Sequence, residues 1–170
     1  MTAPTAPPRP LRLRPPHHRL DRRAVWWWTL SSLVFSVPIV AGAVVGYVLW
    51  EAARPWLVPV LVVAVLMMAV SVFVEPWWRF AVHRWEATDE AVYALTGWVL
   101  REWRVAPISR IQTVDAVRGP LEQLLGLATL RVTTASSRGA IDIVGLDHEI
   151  AADLAERLTA ITQLTPGDAT

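Results

Sequence analysis

Two long apolar runs, separated by a short polar turn, dominate the first half of the chain. Residues 25–50 contain no charged side chain, and residues 55–74 form a second uncharged run. A helix of about 20 apolar residues covers the roughly 30 Å hydrocarbon core of a bilayer. Each run is therefore predicted to span a membrane, and the short turn makes the pair a tight helical hairpin. Pro38 and Pro59 lie inside the runs, where a bilayer helix tolerates proline, and they predict kinks.

The distribution of arginine predicts the orientation of the hairpin. Residues 1–24 hold six arginines and one acidic residue, and Arg79 and Arg84 follow the second run, whereas the turn holds only Arg54. Because cytoplasmic flanks are enriched in basic residues, both termini are predicted to lie in the cytoplasm. Seven tryptophans lie at the ends of the runs, the positions typical of membrane-interface anchors: Trp26, Trp27, Trp28, Trp50, Trp56, Trp77 and Trp78.

The first apolar run could also be interpreted as a signal peptide. Residues 41–43 resemble the cleavage site of a secretory signal peptide, but the run continues to Trp50 and a second run follows, which favours a retained helix.

Gly42 and Gly46 form a GxxxG pattern, which lets helices approach closely. The pattern fits contact with the second helix of the same hairpin, and it also fits association between two chains.

The segment before the first run is rich in proline and arginine. Residues 1–24 have no apolar periodicity and cannot bury enough surface to offset the entropy of ordering. They are predicted to form a disordered basic arm beside the anionic cytoplasmic leaflet. His17 and His18 have no third ligand at a spacing suited to metal binding, so no metal site is expected there.

The second half of the chain changes to short runs with turn signals between them. This pattern predicts a small cytoplasmic domain over residues 75–165, followed by a disordered tail over residues 166–170. Residues 129–134 alternate most clearly, with Leu130 and Val132 predicted to face the core and Thr129 the solvent. The predicted strands cover residues 80–87, 91–95, 98–106, 109–117, 128–135 and 140–144.

The last element has a helical period. Asp147 is placed to cap the N-terminus of a helix, and the apolar stripe that follows consists of Ile150, Leu154, Leu158 and Ile161. Residues 121–125 are predicted to form a short helical turn between strands. The expected fold is therefore a membrane α-hairpin followed by a mainly-β, α+β domain with one C-terminal helix.

Several meandering strands followed by one helix are typical of a pleckstrin-homology (PH) roll. Residues 104–135 carry a more specific resemblance. This stretch resembles the signature of bacterial PH-domain membrane proteins, which carry a transmembrane hairpin followed by one such domain. The resemblance covers residues 20–162. It implies a PH-like roll of six or seven antiparallel strands, carried by a protein of the bacterial plasma (inner) membrane. It implies architecture more than activity, because the activity of that family is poorly defined. The motif positions, mostly structural, are Pro107, Ser109, Arg110, Ile111, Gln112, Gly119, Pro120, Gly126 and Leu127.

Elementary packing accounts for most of this motif. Gly119, Pro120 and Gly126 bracket the helical turn, where their backbone preferences fit. Packing does not explain the choice of Arg110 and Gln112. These two side chains are expected to hydrogen-bond carbonyl groups of the 119–126 turn, or alternatively to contact a partner. The candidate core residues are Ile111, Leu124, Leu127, Leu130 and Val132.

The sequence lacks the patterns of common catalytic sites. The chain contains no cysteine, which excludes a disulfide framework, a cysteine zinc site and thiol catalysis. No nucleotide-binding, metalloprotease or serine-hydrolase motif occurs, and His83 and His148 have no evident triad partner. We therefore expect no enzyme activity, no catalytic, metal-binding or cofactor-binding residue, no cofactor and no small-molecule substrate. Basic residues concentrated in a short arm also argue against nucleic-acid binding.

Charge bears on lipid recognition. Residues 84–170 hold twelve acidic residues and eight arginines, and the first hairpin of the domain, residues 86–90, is acidic. Like-charge repulsion there disfavours a polyphosphate headgroup. Arg101 and Arg104 remain candidate anion or lipid contacts, although residues three apart lie on opposite faces of an untwisted strand.

These observations lead to one interpretation of function and two alternatives. The chain is expected to be a non-enzymatic membrane protein whose PH-like domain assembles or scaffolds partners at the cytoplasmic face. Its expected partners are the lipid bilayer, other membrane proteins or further copies of the chain. The first alternative is a lipid-headgroup sensor. The second is an accessory subunit of a transport or envelope-stress system.

Overall fold

The computed structural model describes residues 16–98, 100–135 and 139–164. Helix α1 (Arg23–Leu49) is followed by a 3₁₀ turn (Glu51–Ala53) and by helix α2 (Arg54–Ala69). The chain then continues through a π-helical turn (Val70–Val74) into helix α3 (Glu75–Val82). From Glu51 to Val82 these segments form one continuous helix of 32 residues.

The predicted hairpin is confirmed as two apolar helices joined by a short turn. Both helices are long and apolar enough to cross a membrane, and both continue through their internal prolines, Pro38 and Pro59. Gly46 faces the second helix, because a Cβ atom at this position would lie 3.6 Å from Leu57 Cδ1. That half of the GxxxG pattern therefore lies at the contact within the hairpin.

Within the described residues, the domain contains two antiparallel sheets and two helices. The four-stranded sheet has the order β1 (His18–Arg19), β2 (Arg84–Ala87), β3 (Ala91–Gly97) and β4 (Arg101–Pro107). The three-stranded sheet has the order β5 (Ile111–Val117), β6 (Leu127–Thr134) and β7 (Ile141–Asp147). Helix α4 (Pro120–Leu125) connects β5 with β6, and helix α5 (His148–Leu164) follows β7. The predicted PH-like roll with a C-terminal helix is confirmed.

The core lies between the two sheets and α5. Leu130, Val132 and Leu158 are among its most deeply buried side chains. Asp147 caps α5 as predicted, because its Oδ1 accepts a hydrogen bond from Glu149 N at 2.9 Å. The apolar stripe of α5 differs at one position, since Ile150 is exposed while Ala151 is buried.

The prediction of a disordered arm over residues 1–24 is wrong for residues 16–24. Strand β1 pairs with β2, so the arm supplies an edge strand to the larger sheet. Leu20 and Ala24 are buried in the core cluster. These contacts are made with distant parts of the chain, which local composition does not report. The predicted behaviour of residues 1–15 and 166–170 lies outside the described residues.

Several predicted boundaries and burial assignments are also wrong. The second helix continues to Val82, so the predicted boundary at residue 75 falls inside a helix and the strand predicted from residue 80 begins at Arg84. Leu124 is 77% exposed on α4 rather than in the core. Thr129 is buried, where the pairing of β6 with β7 has a β-bulge that interrupts the simple alternation.

Candidate functional site between the hairpin and the domain

Arg23 binds the start of α1 to the domain. Its guanidinium donates to both carboxylate oxygens of Asp21, at 3.1 Å from Nε and 3.0 Å from Nη2. It also donates to Leu125 O at 3.1 Å and to Asp147 Oδ2. Leu125 ends α4 and Asp147 ends β7. One side chain therefore joins the hairpin to two elements of the domain through charge-assisted hydrogen bonds.

The two carboxylates that face Arg23 are stabilised in their charged form. The hydrogen bond from Arg23 lowers the pKa of Asp21 below its ordinary value. The pKa of Asp147 is lowered first by the hydrogen bond from the Glu149 backbone N–H, and further by Arg23. Both groups therefore remain ionised at neutral pH, and the ion pairs of this joint persist there.

Backbone packing closes the same joint. Gly145 in β7 adopts a φ of 71°, and a Cβ atom at this position would lie 2.6 Å from the Cβ atom of Ala24. A larger residue would push the first turn of α1 away from the sheet. Asp21 N also donates to Gly145 O at 3.2 Å. The start of α1 is therefore packed directly on β7.

A cavity of about 520 Å³, the junction cavity, opens between the helix pair and the domain. Its volume lies within the range of small-molecule sites. The helices contribute Trp27, Trp28, Ser31, Arg79 and His83, and the sheets contribute Thr96, Glu102, Arg104 and Asp142. Because it is bordered by both parts of the molecule, this cavity is the candidate functional site.

The arginines of the junction cavity already have partners within the chain. Arg79 Nη2 lies 2.8 Å from Glu75 Oε1, one helical turn away. Arg104 Nη2 lies 2.9 Å from Glu102 Oε1, and Arg104 Nη1 donates to Ala140 O at 2.9 Å. An anion in the cavity would have to compete with these carboxylates, so the arrangement does not favour a phosphate ligand.

His83 is the buried titratable group of the cavity. Its Nδ1 donates to Arg79 O at 2.8 Å, and its ring lies 5.4 Å from the ring of Trp28. Burial lowers the pKa of His83 below its ordinary value, and the positive charge of Arg79 lowers it further. The imidazole is therefore neutral at pH 7 and packs as a structural side chain at the end of α3.

Arg101 and Arg104 do not form a shared anion site. Arg104 lines the junction cavity with its guanidinium occupied, whereas Arg101 is exposed at the start of β4 and does not line that cavity. Their separation by three residues on one strand accounts for the difference. No group of three or more His, Cys, Asp or Glu side chains suited to a metal occurs in the described ranges.

The seven tryptophans predicted as interface anchors divide into two groups. Trp28 is 6% exposed and belongs to the domain core, so its assignment as a membrane anchor is wrong. Trp27 packs partly against that core. The others have exposed side chains, and their role as anchors stays a prediction: Trp26, Trp50, Trp56, Trp77 and Trp78.

Trp78 also makes a contact that sequence patterns do not indicate. Its Nε1 donates to Trp98 O at 2.9 Å. Trp98 follows β3, so this hydrogen bond ties the turn between β3 and β4 to the end of the membrane helix pair. The domain is thus held to the helices on two sides, by Arg23 and by Trp78.

Several of the motif positions have a structural place in the fold. Ile111 and Leu127 are buried, and Gly126 ends α4 with a φ of 67°. Pro107 ends β4 and Ser109 lies exposed in a single 3₁₀ turn that follows it. Gly119 N donates to Glu122 Oε2 at 2.6 Å, which caps α4 directly before Pro120.

Arg118, not Arg110 or Gln112, binds the 119–126 turn. Its Nε donates to Leu127 O at 3.0 Å, and its Nη2 donates to Gln123 O at 3.4 Å. Arg110 and Gln112 are exposed, and their side chains form no hydrogen bond or ion pair within the described part of the chain. The structural role favoured for these two side chains is therefore wrong.

Sequence analysis also missed a buried carboxylate. Glu122 is 5% exposed, and its Oε1 accepts a hydrogen bond from Thr129 Oγ1 at 2.6 Å. Glu122 lies three residues after Gly119, the spacing of the acidic half of a capping box, and this spacing was the local signal for Glu122. No local signal indicates that Thr129 faces it.

Strand β5 is an edge strand of the smaller sheet. It pairs with β6 on one side, and no described strand pairs with its other side. Most of its side chains are exposed, including Gln112 near its start. An unpaired strand edge offers backbone hydrogen-bonding groups to another chain.

Comparisons with known proteins identify the family. A family model described as "Bacterial PH domain" matches residues 32–162. The chain is also similar to UPF0699 transmembrane protein YdbS of Bacillus subtilis (strain 168), with 27% identity over 159 residues that cover 90% of this chain and 97% of that protein. No solved structure matches the chain. The chain therefore belongs to the bacterial PH domain family and is a membrane protein in which the domain follows two apolar helices.

Proposed function

We propose that this protein is a non-enzymatic assembly factor that presents its PH-like domain to other membrane proteins at the cytoplasmic face. In this proposal the hairpin crosses the bilayer twice and both chain ends lie in the cytoplasm. The distribution of arginine supports that orientation. The observation that carries the proposal is the edge of β5, with exposed motif side chains at its start.

The edge of β5 has the properties of a docking strand. Its backbone lacks a second strand partner within the described residues, and an extended segment of another protein could add to it as a new strand. The exposed side chains of Arg110 and Gln112 lie next to this edge and form no hydrogen bond or ion pair within the described residues. An acidic or amide side chain on the added segment would bind them and fix its register.

The junction with the hairpin supports the same function. Arg23, Gly145 and Trp78 hold the domain on the helix pair, so the edge of β5 has a fixed direction relative to the bilayer. Fixing a binding surface in advance reduces the entropy lost on association. Anchoring in the membrane also raises the local concentration of other anchored proteins.

The charged groups of the junction cavity support a structural role over catalysis. Arg79 is paired with Glu75, and Arg104 is paired with Glu102. His83 Nδ1 donates to Arg79 O and its ring packs against Trp28, so the imidazole has a structural role at the end of α3. The lipid-sensor alternative needs a cationic site, and the separation of Arg101 from Arg104 does not favour it. The accessory-subunit alternative differs from our proposal in the identity of the partner.

Site-specific photo-crosslinking in native membranes tests the proposal. A benzoylphenylalanine residue replaces Gln112 on the edge of β5, and in a control protein it replaces Glu156, an exposed residue of α5. We expect one adduct with a membrane protein at position 112 and none at position 156. The adduct should disappear with Arg110→Glu, which reverses the charge beside the edge. Recovery of only the uncrosslinked monomer from native membranes, with no adduct at position 112, would contradict the proposal.

A further inference from the structure

A second cavity of about 520 Å³, the membrane groove, lies between the two helices. On α1 it is lined by positions 22, 25, 26 and 29, which share one stripe of a helix. The junction cavity uses positions 27, 28 and 31, which lie on the opposite stripe. The membrane groove therefore lies on the side of α1 opposite the junction cavity and opens to the surroundings of the helix pair.

The second helix is locally widened at this groove. Val72 and Phe73 line it from within the π-helical turn, and Trp77 and Phe80 line it from α3. A π-helical turn inside an α-helix is frequent at functional sites. Phe73 and Trp77 are exposed along the groove and leave it unfilled.

One end of the membrane groove is cationic and the rest is almost entirely apolar. Arg22 precedes α1 and is exposed, and its guanidinium forms no hydrogen bond or ion pair within the described ranges. Its neighbour Arg23 is occupied by Asp21 and Asp147. Thr29 is the single uncharged polar residue of the lining.

We propose that the membrane groove binds one anionic phospholipid. The phosphate lies at Arg22, and an acyl chain lies along Trp26, Phe73 and Trp77. A guanidinium forms paired hydrogen bonds with phosphate oxygens, and a groove lined by aromatic side chains gains free energy when an acyl chain replaces water. Arg22 precedes the apolar run, and the aromatic rings lie within the run. In a leaflet, the phosphate and the acyl chain of a phospholipid follow one another in the same order.

This inference does not depend on the proposed assembly function, because the membrane groove and the edge of β5 are on different parts of the molecule. It also differs from headgroup recognition by the domain, since only the hairpin supplies the ligands. A transmembrane helix of another protein, or of a second copy of this chain, is the competing occupant. Such a helix would fill the apolar part but would leave Arg22 without an anionic partner.

Native mass spectrometry of the full chain tests the inference. The protein is released from detergent micelles that contain phosphatidylglycerol or, in parallel, phosphatidylcholine. We expect one retained phosphatidylglycerol molecule per chain and weaker retention of phosphatidylcholine. Arg22→Gln should weaken phosphatidylglycerol binding about tenfold or more, because a charge-assisted hydrogen bond is lost. Arg22→Lys should restore part of the affinity.

Two further variants separate the membrane groove from general charge effects. Arg19→Gln removes the same charge three residues earlier, in β1 and outside the groove, and should leave lipid retention unchanged. Thr29→Phe fills the groove and should weaken retention of both lipids, while the thermal midpoint of the domain stays unchanged. Equal losses for Arg22→Gln and Arg19→Gln would overturn the inference. Retention of a second protein chain instead of a lipid would overturn it as well.

Discussion

The position of Trp28 leads to a prediction that distinguishes a core residue from a membrane anchor. Trp26 and Trp28 are two positions apart in the same run of tryptophans, yet Trp28 is 6% exposed and Trp26 is 65% exposed. The ring of Trp28 packs within the domain core and lies 5.9 Å from the guanidinium carbon of Arg79. We expect Trp28→Ala to destabilise the domain and Trp26→Ala to leave it intact.

The magnitude follows from the buried area of the indole. A tryptophan side chain buries about 200 Å², which at about 25 cal/mol per Å² corresponds to roughly 5 kcal/mol. In the proposed topology, unfolding of the domain leaves α1 in the membrane, so Trp28 then moves to the bilayer interface rather than to water. We therefore expect the lower end of the usual tryptophan-to-alanine range, about 3 kcal/mol. For a domain of this size that loss lowers the thermal midpoint by at least about 10 °C.

Thermal unfolding of the full chain in micelles, followed by near-ultraviolet circular dichroism, measures this effect. Hydrogen exchange of the β6 amides provides a second, local measurement of the same loss. Trp26→Ala should shift the midpoint by no more than a few degrees, because exposed substitutions typically change stability by about 0.5 kcal/mol or less. Equal midpoints for the two variants would refute the assignment of Trp28 to the domain core.

Two further predictions concern buried groups of the domain. Glu122 accepts hydrogen bonds from Gly119 N and Thr129 Oγ1, both at 2.6 Å, so Glu122→Gln should lower the free energy of unfolding by about 1–3 kcal/mol. The fall should be visible as a lower urea midpoint, whereas Glu156→Gln on the exposed face of α5 should have no effect. His83 should make the domain less stable in acid. Burial lowers the pKa of His83 in the folded state, so the folded state binds fewer protons than the unfolded state. The contribution of His83 to stability is therefore complete above about pH 6.5 and is lost as the pH falls towards the folded pKa. When the pH is lowered from about 7.5 to about 5.5, the thermal midpoint of the domain should therefore decrease. His83→Gln should reduce that fall, and an identical fall in both proteins would contradict the prediction.

Local patterns predicted the features that depend on neighbouring residues. The cap of α5 at Asp147 and the short helix before β6 both follow from side-chain types within a few positions. The apolar runs predicted the hairpin for the same reason. The π-helical turn (Val70–Val74) was not predicted, because its residues continue the apolar run and composition does not distinguish it from an α-helix.

Contacts between distant residues were not predictable in the same way. Arg23 and Asp147 are 124 positions apart in the chain, and nothing near either residue indicates the other. Leu20 and Ala24 are buried by the same joint, so an arm with a disordered composition is ordered by what it packs against. Trp28 shows a further limit, since a tryptophan at the end of an apolar run suits either a bilayer interface or a domain core.

The proposed function requires that the helix pair holds the domain close to the membrane surface, and a depth measurement tests this requirement most directly. The chain contains no cysteine, so single spin labels can be placed at Leu100→Cys and Glu90→Cys. Leu100 is 84% exposed in the turn after Trp98, whose carbonyl binds Trp78, and Glu90 lies beyond the other end of β3. Seven strand residues separate these turns by about 23 Å.

In vesicles, the label at position 100 should collide readily with oxygen and be protected from a water-soluble nickel chelate. The label at position 90 should show the opposite accessibility. Equal access of the nickel chelate to both labels would contradict the claim that the domain is held against the bilayer.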